Sequence, residues 1–286
     1  MNKPKIKPEE FITHKPKNPF LQKIISYYYF HKTSNETTNK QYIYYPNFRN
    51  ALTIYKNSRI EFGHQYSKSY PDESIEFSIL FSGIQKQFRK AEINSPFDKI
   101  GIVFQELGIN HFIKEPLSYI HNHPTDKSFH HFGDEFYRLL GAVFNENKVE
   151  EKVQLLDNFF LSNYIPFKEG KLINAIDVIL TSRKKVTVQE ICNSNHIHRK
   201  TLLRLFQKHL CCTTKDFIDI VQFRKALNDY LLINKDISLT QTAFDNQYYD
   251  QAQFITHFKK LTGNNPKRFF KNIQHLGGED TFWSFQ

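Results

Sequence analysis

In the last third of the chain, apolar residues recur at helical spacing in a pattern that is repeated: short helix, turn, longer helix. The first set is Val188–Cys192 followed by His198–Leu210. The second is Ser238–Asn246 followed by Asp250–Leu261. About 50 residues separate them, a distance typical of internal duplication. A long helix from about Thr214 to Ile233 joins the copies, and a last helix begins near Pro266. Two such pairs joined by a helix predict an all-α domain of two helix-turn-helix modules, each locking its second helix through one buried face.

The faces left outside carry the chemistry. In the first copy Leu202, Leu205, Phe206 and His209 form the buried side, leaving Arg199, Lys200, Leu203, Arg204, Gln207 and Lys208 outward. Four of these six are cationic, and Arg204 lies one turn beyond Lys200. Arginine suits bidentate contact with guanine, and an outward leucine can meet a thymine methyl. In the second copy, Phe254, Phe258 and Leu261 leave Asp250, Gln251, Gln253, Thr256, His257 and Lys260 outside. Gln251 and Gln253 suit adenine edges, whereas Lys259 and Lys260 suit phosphate. A helical bundle with merely polar outer faces would give the same periodicity, so the pattern alone leaves both readings open.

The 286 residues carry a formal charge of +10. From Lys168 onward there are 18 Lys/Arg against 11 Asp/Glu, net +7, whereas residues 1–167 hold 21 against 18, net +3. The positive excess therefore sits with the helical repeats, as a double-stranded DNA partner would require. Cys192, Cys211 and Cys212 form neither a disulfide framework nor a metal-ligand spacing, which fits a reducing compartment. No signal-peptide run or membrane-length apolar stretch occurs, so a cytoplasmic chain with no membrane partner is expected.

The fold class expected is α+β. After a short helical candidate around Pro19–Tyr29, residues 41–112 read as strands, in runs such as QYIYY, ALTIY, IEFSILF and KIGIVFQ. These predict a β-rich barrel or sandwich. Between Gly133 and Tyr164 the period changes to that of two amphipathic helices. One stripe is Phe136, Leu139, Leu140 and Val143; the other is Val149, Val153, Leu156 and Phe160. Pro166 and Gly170 mark the boundary, giving a sensor or dimerisation domain over 1–165 and a helical domain over 166–286.

Three segments resemble the C-terminal domain of AraC/XylS transcription regulators: EICNSNHIHRKTLLRLFQKHL (190–210), RKALNDYLLIN (224–234) and SLTQTAFDNQYYDQAQFITHFKKLTGNNPKRFF (238–270). Phe254, Phe258, Lys259, Lys260, Gly263 and Pro266 meet the family's most specific pattern. The resemblance implies one chain placing two recognition helices in successive major grooves, about 34 Å apart. Several positions depart from it. Gln247 stands where a turn glycine is usual, with Asn246 beside it to take up the left-handed conformation. Cys211 and Thr214 replace a glycine and a proline, and Thr256 replaces an arginine. These departures put base reading by the second module in doubt and leave the first to lead.

In the N-terminal half, YIYYPNFRNALTIY (42–55) and FDKIGIVFQELGINHFIKEPLSYI (97–120) resemble more faintly the β-rich sensor domain of Bacteroidetes-type regulators. That implies a small-molecule or protein effector, or a homodimer made through the helices at Gly133–Tyr164; simple packing of those helices on the sheet is the competing reading. His121, His123, His130 and His131 cluster near Asp126, Asp134 and Glu135, but their spacing matches no metal motif. With no phosphate loop, GxSxG or HExxH, neither an enzyme nor a cofactor is expected. Two alternatives stand beside the regulator: a protein-interaction module with a decayed DNA surface, and a metal-dependent enzyme in the N-terminal half.

Overall fold

A computed structural model describes residues 10–34, 39–63, 65–121, 129–182, 185–233, 250–279 and 281–285, together with Gln241, Asp245 and Tyr248. Nine strands come first: β1 (Glu10–His14), β2 (Ile25–Thr33), β3 (Asn39–Tyr44), β4 (Ala51–Lys56), β5 (Ser58–Phe62), β6 (Tyr66–Pro71), β7 (Phe77–Ser82), β8 (Arg89–Asn94) and β9 (Phe97–Phe104). The helices follow: α1 (Leu117–His121), α2 (Gly133–Asn145), α3 (Val149–Ser162), α4 (Gly170–Thr181), α5 (Val188–Ser194), α6 (Arg199–Leu210), α7 (Thr214–Asn228), α8 (Gln251–Thr262) and α9 (Pro266–Asn272). Two further strands, β10 (Gln274–His275) and β11 (Phe282–Phe285), end the chain's described part. A β-rich domain thus precedes a helical one, as expected.

The strands form two sheets, ordered β1-β2-β9-β4-β7 and β10-β11-β3-β8-β6-β5. Both faces of the first sheet are covered. Tyr28, Leu52, Ile54, Ile100 and Ile102 share a core with Phe136, Leu140, Val143, Val153, Leu156 and Phe160 of α2 and α3. The amphipathic stripes of these two helices are therefore spent on the sheet, which is the core-packing reading of them. The other face, with Tyr27, Tyr29, Thr53, Tyr55 and Lys99, looks toward Tyr42 and Tyr44 of the second sheet. Gly101 is required there: a Cβ would collide with the ring of Tyr29 across the strand pair.

The helix expected around Pro19–Tyr29 is not formed. Only a 3₁₀ turn, Leu21–Lys23, precedes β2. Every position from Ile25 to Phe30 is buried and Tyr27 to Phe30 are all aromatic, so the run loses the two-residue alternation that marks a strand. Its β-branched and tyrosine content decides for extended backbone.

The helical domain holds two cores that meet along α7. Leu172, Ile176, Ile191, Leu202, Phe206, Leu210, Phe217 and Val221 form the first; Phe223, Leu227, Phe254, Phe258, Leu261 and Phe269 form the second. The long helix expected to Ile233 is α-helical to Asn228 and continues as a π turn over Asp229–Ile233. Of the helix expected over Ser238–Asn246, Gln241 and Asp245 are described, both helical, with Gln241 Nε2 donating to Asp245 Oδ1 at 2.7 Å. Asn246 and Gln247 lie outside the described residues.

One connection departs from the all-helical expectation for the C-terminal part. After α9 the chain returns to the N-terminal domain, and β11 pairs antiparallel with β3 in the register Ser284↔Ile43. Gly278 N donates to Thr13 Oγ1 at 2.9 Å on the way.

Candidate nucleic-acid interface

The first module starts from a capping box. Glu190 N donates to Thr187 Oγ1 at 3.2 Å, and Thr187 N donates to Glu190 Oε2 at 2.7 Å, satisfying two backbone donors at the start of α5. The turn into α6 uses His196 in the left-handed region (φ +48) and is tied by Ile197 N donating to Cys192 O at 3.0 Å. Lys171 of α4 donates to Asn195 O at 2.7 Å. These contacts fix how α6 leaves the turn.

On α6, Leu202, Phe206 and His209 are buried, and Leu205 is partly so. Arg199, Lys200, Arg204, Gln207 and Lys208 are exposed, and Leu203 is half-buried beside them. Among the described residues no ion pair engages any of the four cations. Lys200, Arg204 and Lys208 follow one another at four-residue spacing down one exposed face, the arrangement that phosphate and guanine edges require, and Arg199 is exposed in the first turn. The helix ends at Cys211 with φ +56, so the position where a glycine is usual does adopt the left-handed conformation. A side chain there costs about 1–2 kcal/mol relative to glycine.

The second of the two helices expected to read DNA, α8, differs. Asp250 caps α8, its Oδ1 accepting from Gln253 N at 2.7 Å, so this carboxylate serves the helix end. Gln251, Gln253, Thr256, Lys259 and Lys260 are exposed. His257 is not presented in the same way. It is half-buried, and its Nδ1 lies 2.9 Å from the Tyr248 hydroxyl. Burial pulls the imidazole down to about 4, against the opposing pull of Asp219, so it is neutral near pH 7.

The last helix, expected near Pro266, is α9, and its basic residues were not among those expected at DNA. Asn265 Oδ1 accepts from Arg268 N at 2.9 Å, Pro266 takes the first helical position, and Lys267, Arg268 and Lys271 are exposed. The Asn-Pro pair ahead of a basic run was the available signal.

Away from these helices, a cavity of about 130 Å³ lies between the two sheets. Six tyrosines line it, Tyr27, Tyr29, Tyr42, Tyr44, Tyr45 and Tyr55, together with Arg49 and Arg224. Arg224 belongs to α7 and is 3% exposed. Of the histidine cluster, His130 and His131 are described with their side chains. His130 is exposed and stacks on His131 with ring centres 5.1 Å apart, and His123 lies outside the described residues. Among the described residues no group of three or more His, Cys, Asp or Glu is placed to hold a metal. No helix among them is long and apolar enough to cross a membrane.

Residues 191–272 match the sequence family described as a helix-turn-helix domain. No curated protein sequence matches the chain. Among solved structures the chain is similar to a transcriptional regulator with an AraC-type DNA-binding domain from Chromobacterium violaceum. That pair is 15% identical with a TM-score of 0.29, covering 32% of this chain and 80% of that one. It is also similar to ToxT from Vibrio cholerae, at 12% identity and a TM-score of 0.43, covering 92% and 97%. The unsaturated fatty acid-bound form of ToxT gives 12% and 0.44, with 94% and 96% covered. Overlaps this loose place no individual side chain.

The C-terminal part of the chain is therefore a DNA-binding helix-turn-helix domain. It is of the AraC type, the type found in transcription regulators, and it follows a β-rich domain.

Proposed function

We propose that the chain is a sequence-specific transcription regulator that reads two successive major grooves, α6 leading and α8 assisting. The observation that carries this reading is the α6 face: Lys200, Arg204 and Lys208 stand exposed on the side away from the buried Leu202 and Phe206, with Arg199 exposed in the first turn. Arg204 and Arg199 suit guanine edges, Leu203 suits a thymine methyl, and Lys200 and Lys208 suit phosphate. On α8, the exposed Gln251 and Gln253 suit adenine edges and Thr256 the groove wall. Lys259 and Lys260 hold the backbone, and His257 contributes through Tyr248 rather than through a base.

The cavity between the sheets is the site we assign to a small-molecule effector. At about 130 Å³ it is close to the volume that holds a single benzene-sized ring. Its tyrosine hydroxyls and two guanidinium groups favour a ligand carrying hydroxyl or acidic groups. An effector there would touch Arg224, and so the helix joining both modules. Neither catalysis nor a metal enters this reading.

Selection of the full-length protein on a random double-stranded DNA pool tests it. The expected result is one enriched site with two half-sites about one helical turn apart. Affinity should fall with salt at a log–log slope of about −0.9 per phosphate contact. A pool that stays unenriched at low salt would sink this reading and favour a protein-interaction module.

A further inference from the structure

The two modules are joined covalently by α7 and by the stretch that begins with the π turn at Asp229–Ile233. A π turn is a rare interruption in a helix and a weak place to hold an angle. A second connection runs through the N-terminal domain. Two of its loops, 45–50 between β3 and β4 and 83–88 between β7 and β8, each touch both modules.

The loop 83–88 spans them within five residues. Ile84 packs into the first module's core. Lys86 Nζ pairs with Asp216 Oδ2 at 3.0 Å, at the start of α7 just beyond the end of α6. Phe88 N donates to Leu261 O at 3.0 Å, at the end of α8. The Phe88 ring lies so close to Gly263, the left-handed residue that stops α8, that an added Cβ would meet it at 2.6 Å. The loop 45–50 repeats the arrangement. The Phe48 ring lies 6.0 Å from Phe217 of the first module, and the Tyr45 ring 4.5 Å from Phe269 of the second. Gln85 N donates to Asn47 O at 3.1 Å and ties the loops together.

We propose that these paired loops are a brace that sets the separation and angle of the two recognition helices, making Lys86 and Phe88 positioning residues for half-site spacing. The start of α7, just beyond α6, and the C-terminal end of α8 abut the same five residues, so shifting one module against the other must break contacts on the brace. A rigid pair of reading heads tolerates little change of spacing, because each inserted base pair turns one groove against the other by about 34°. The brace touches no DNA. Its effect appears in which spacings are accepted, with the bases preferred inside each half-site unchanged.

The inference rests on the DNA-binding reading above, and one experiment separates the two. Affinity is measured for the full-length protein on the selected site and on the same site with one base pair inserted or removed between the half-sites. The proteins compared are wild type, Lys86→Ala, Lys86→Arg and Phe88→Ala. The Lys86 side chain is 49% exposed, so its replacement leaves the cores intact even if Phe88→Ala folds poorly. The result expected is that Lys86→Ala lowers the preference for the native spacing by about fivefold and Phe88→Ala by more, with Lys86→Arg close to wild type. Partial unfolding would weaken binding to every spacing equally and leave the ratio unmoved. Variants that weaken binding overall yet keep the wild-type spacing ratio would overturn the brace alone. A wild type that binds no site would overturn both readings.

Discussion

The hydroxyl of Tyr27, in the second strand, meets Thr281 Oγ1 at 2.7 Å, 254 positions later in the chain. Both groups are buried, and both line the cavity between the sheets. Nearby, Tyr45 donates to Ser284 Oγ at 2.7 Å. The tail beyond α9 therefore closes one side of the β-rich domain while remaining attached to the second helix-turn-helix module.

Cutting these bonds should loosen the closure measurably. Thr281→Val is expected to cost about 1 kcal/mol, as is Tyr27→Phe. The double variant should cost less than the sum of the two, because the pair acts as a unit. Urea unfolding of the four proteins measures this; strictly additive costs would show that the two hydroxyls are not coupled.

Arg204 should matter to DNA and little to the fold. Arg204→Ala should weaken the selected site by about 1–3 kcal/mol and relax preference at one base pair. Leu202, two positions away and fully buried, should behave oppositely. Leu202→Ala should cost about 2–5 kcal/mol of stability. Selection with Arg204→Ala that returned the wild-type consensus would rule this residue out as a base reader.

His257 gives the fold a pH dependence. In the folded chain it is held down to about 4, whereas an unfolded histidine binds its proton near 6.5. The unfolded state therefore takes up the proton first, and stability is lost as pH falls from about 6.5 toward 4. Chemical unfolding followed across that interval should show a shallower fall in His257→Gln. An unchanged pH profile would place the proton uptake elsewhere.

Lys99 acts in the alkaline range. Its side chain is sealed among the rings of Tyr42, Tyr55 and Phe97, with Nζ 3.4 Å from the Tyr42 hydroxyl. Burial pulls the amine down to about 7 from 10.5. Folding must therefore release this proton between about pH 7 and 10.5, and stability from this group rises with pH across that window. Lys99→Met, similar in volume, should stabilise the protein near pH 7 by on the order of 1–4 kcal/mol. It should also flatten the slope between pH 7 and 10; a destabilised Met variant would mean that the ring contacts outweigh the burial of charge.

The helical repeats were legible because the second helix of each module has one buried stripe. Leu202 and Phe206 in one, and Phe254 and Phe258 in the other, recur with the period of the helix whatever lies beyond it. The same logic exposed Arg199, Lys200 and Arg204. It failed for His257, which lies on the outward side by counting yet is taken up by Tyr248 from the turn before α8. It failed again at Ile25–Thr33, where a sheet covered on both sides leaves no alternation to read.

What the chain alone determined, then, were the properties set by near neighbours: helix period, the basic face of α6 and the order of strands before helices. What only the tertiary structure decided were the meetings between distant segments. These are the return of Ser284 to the edge of β3, the approach of Phe88 to Leu261 and Gly263, and the entry of Arg224 into a cavity of tyrosines. The physical reason is that periodicity reports that a face is buried, and nothing about the surface that buries it. Hydrophobic burial is non-directional, so Phe88 would read the same in sequence against any apolar partner.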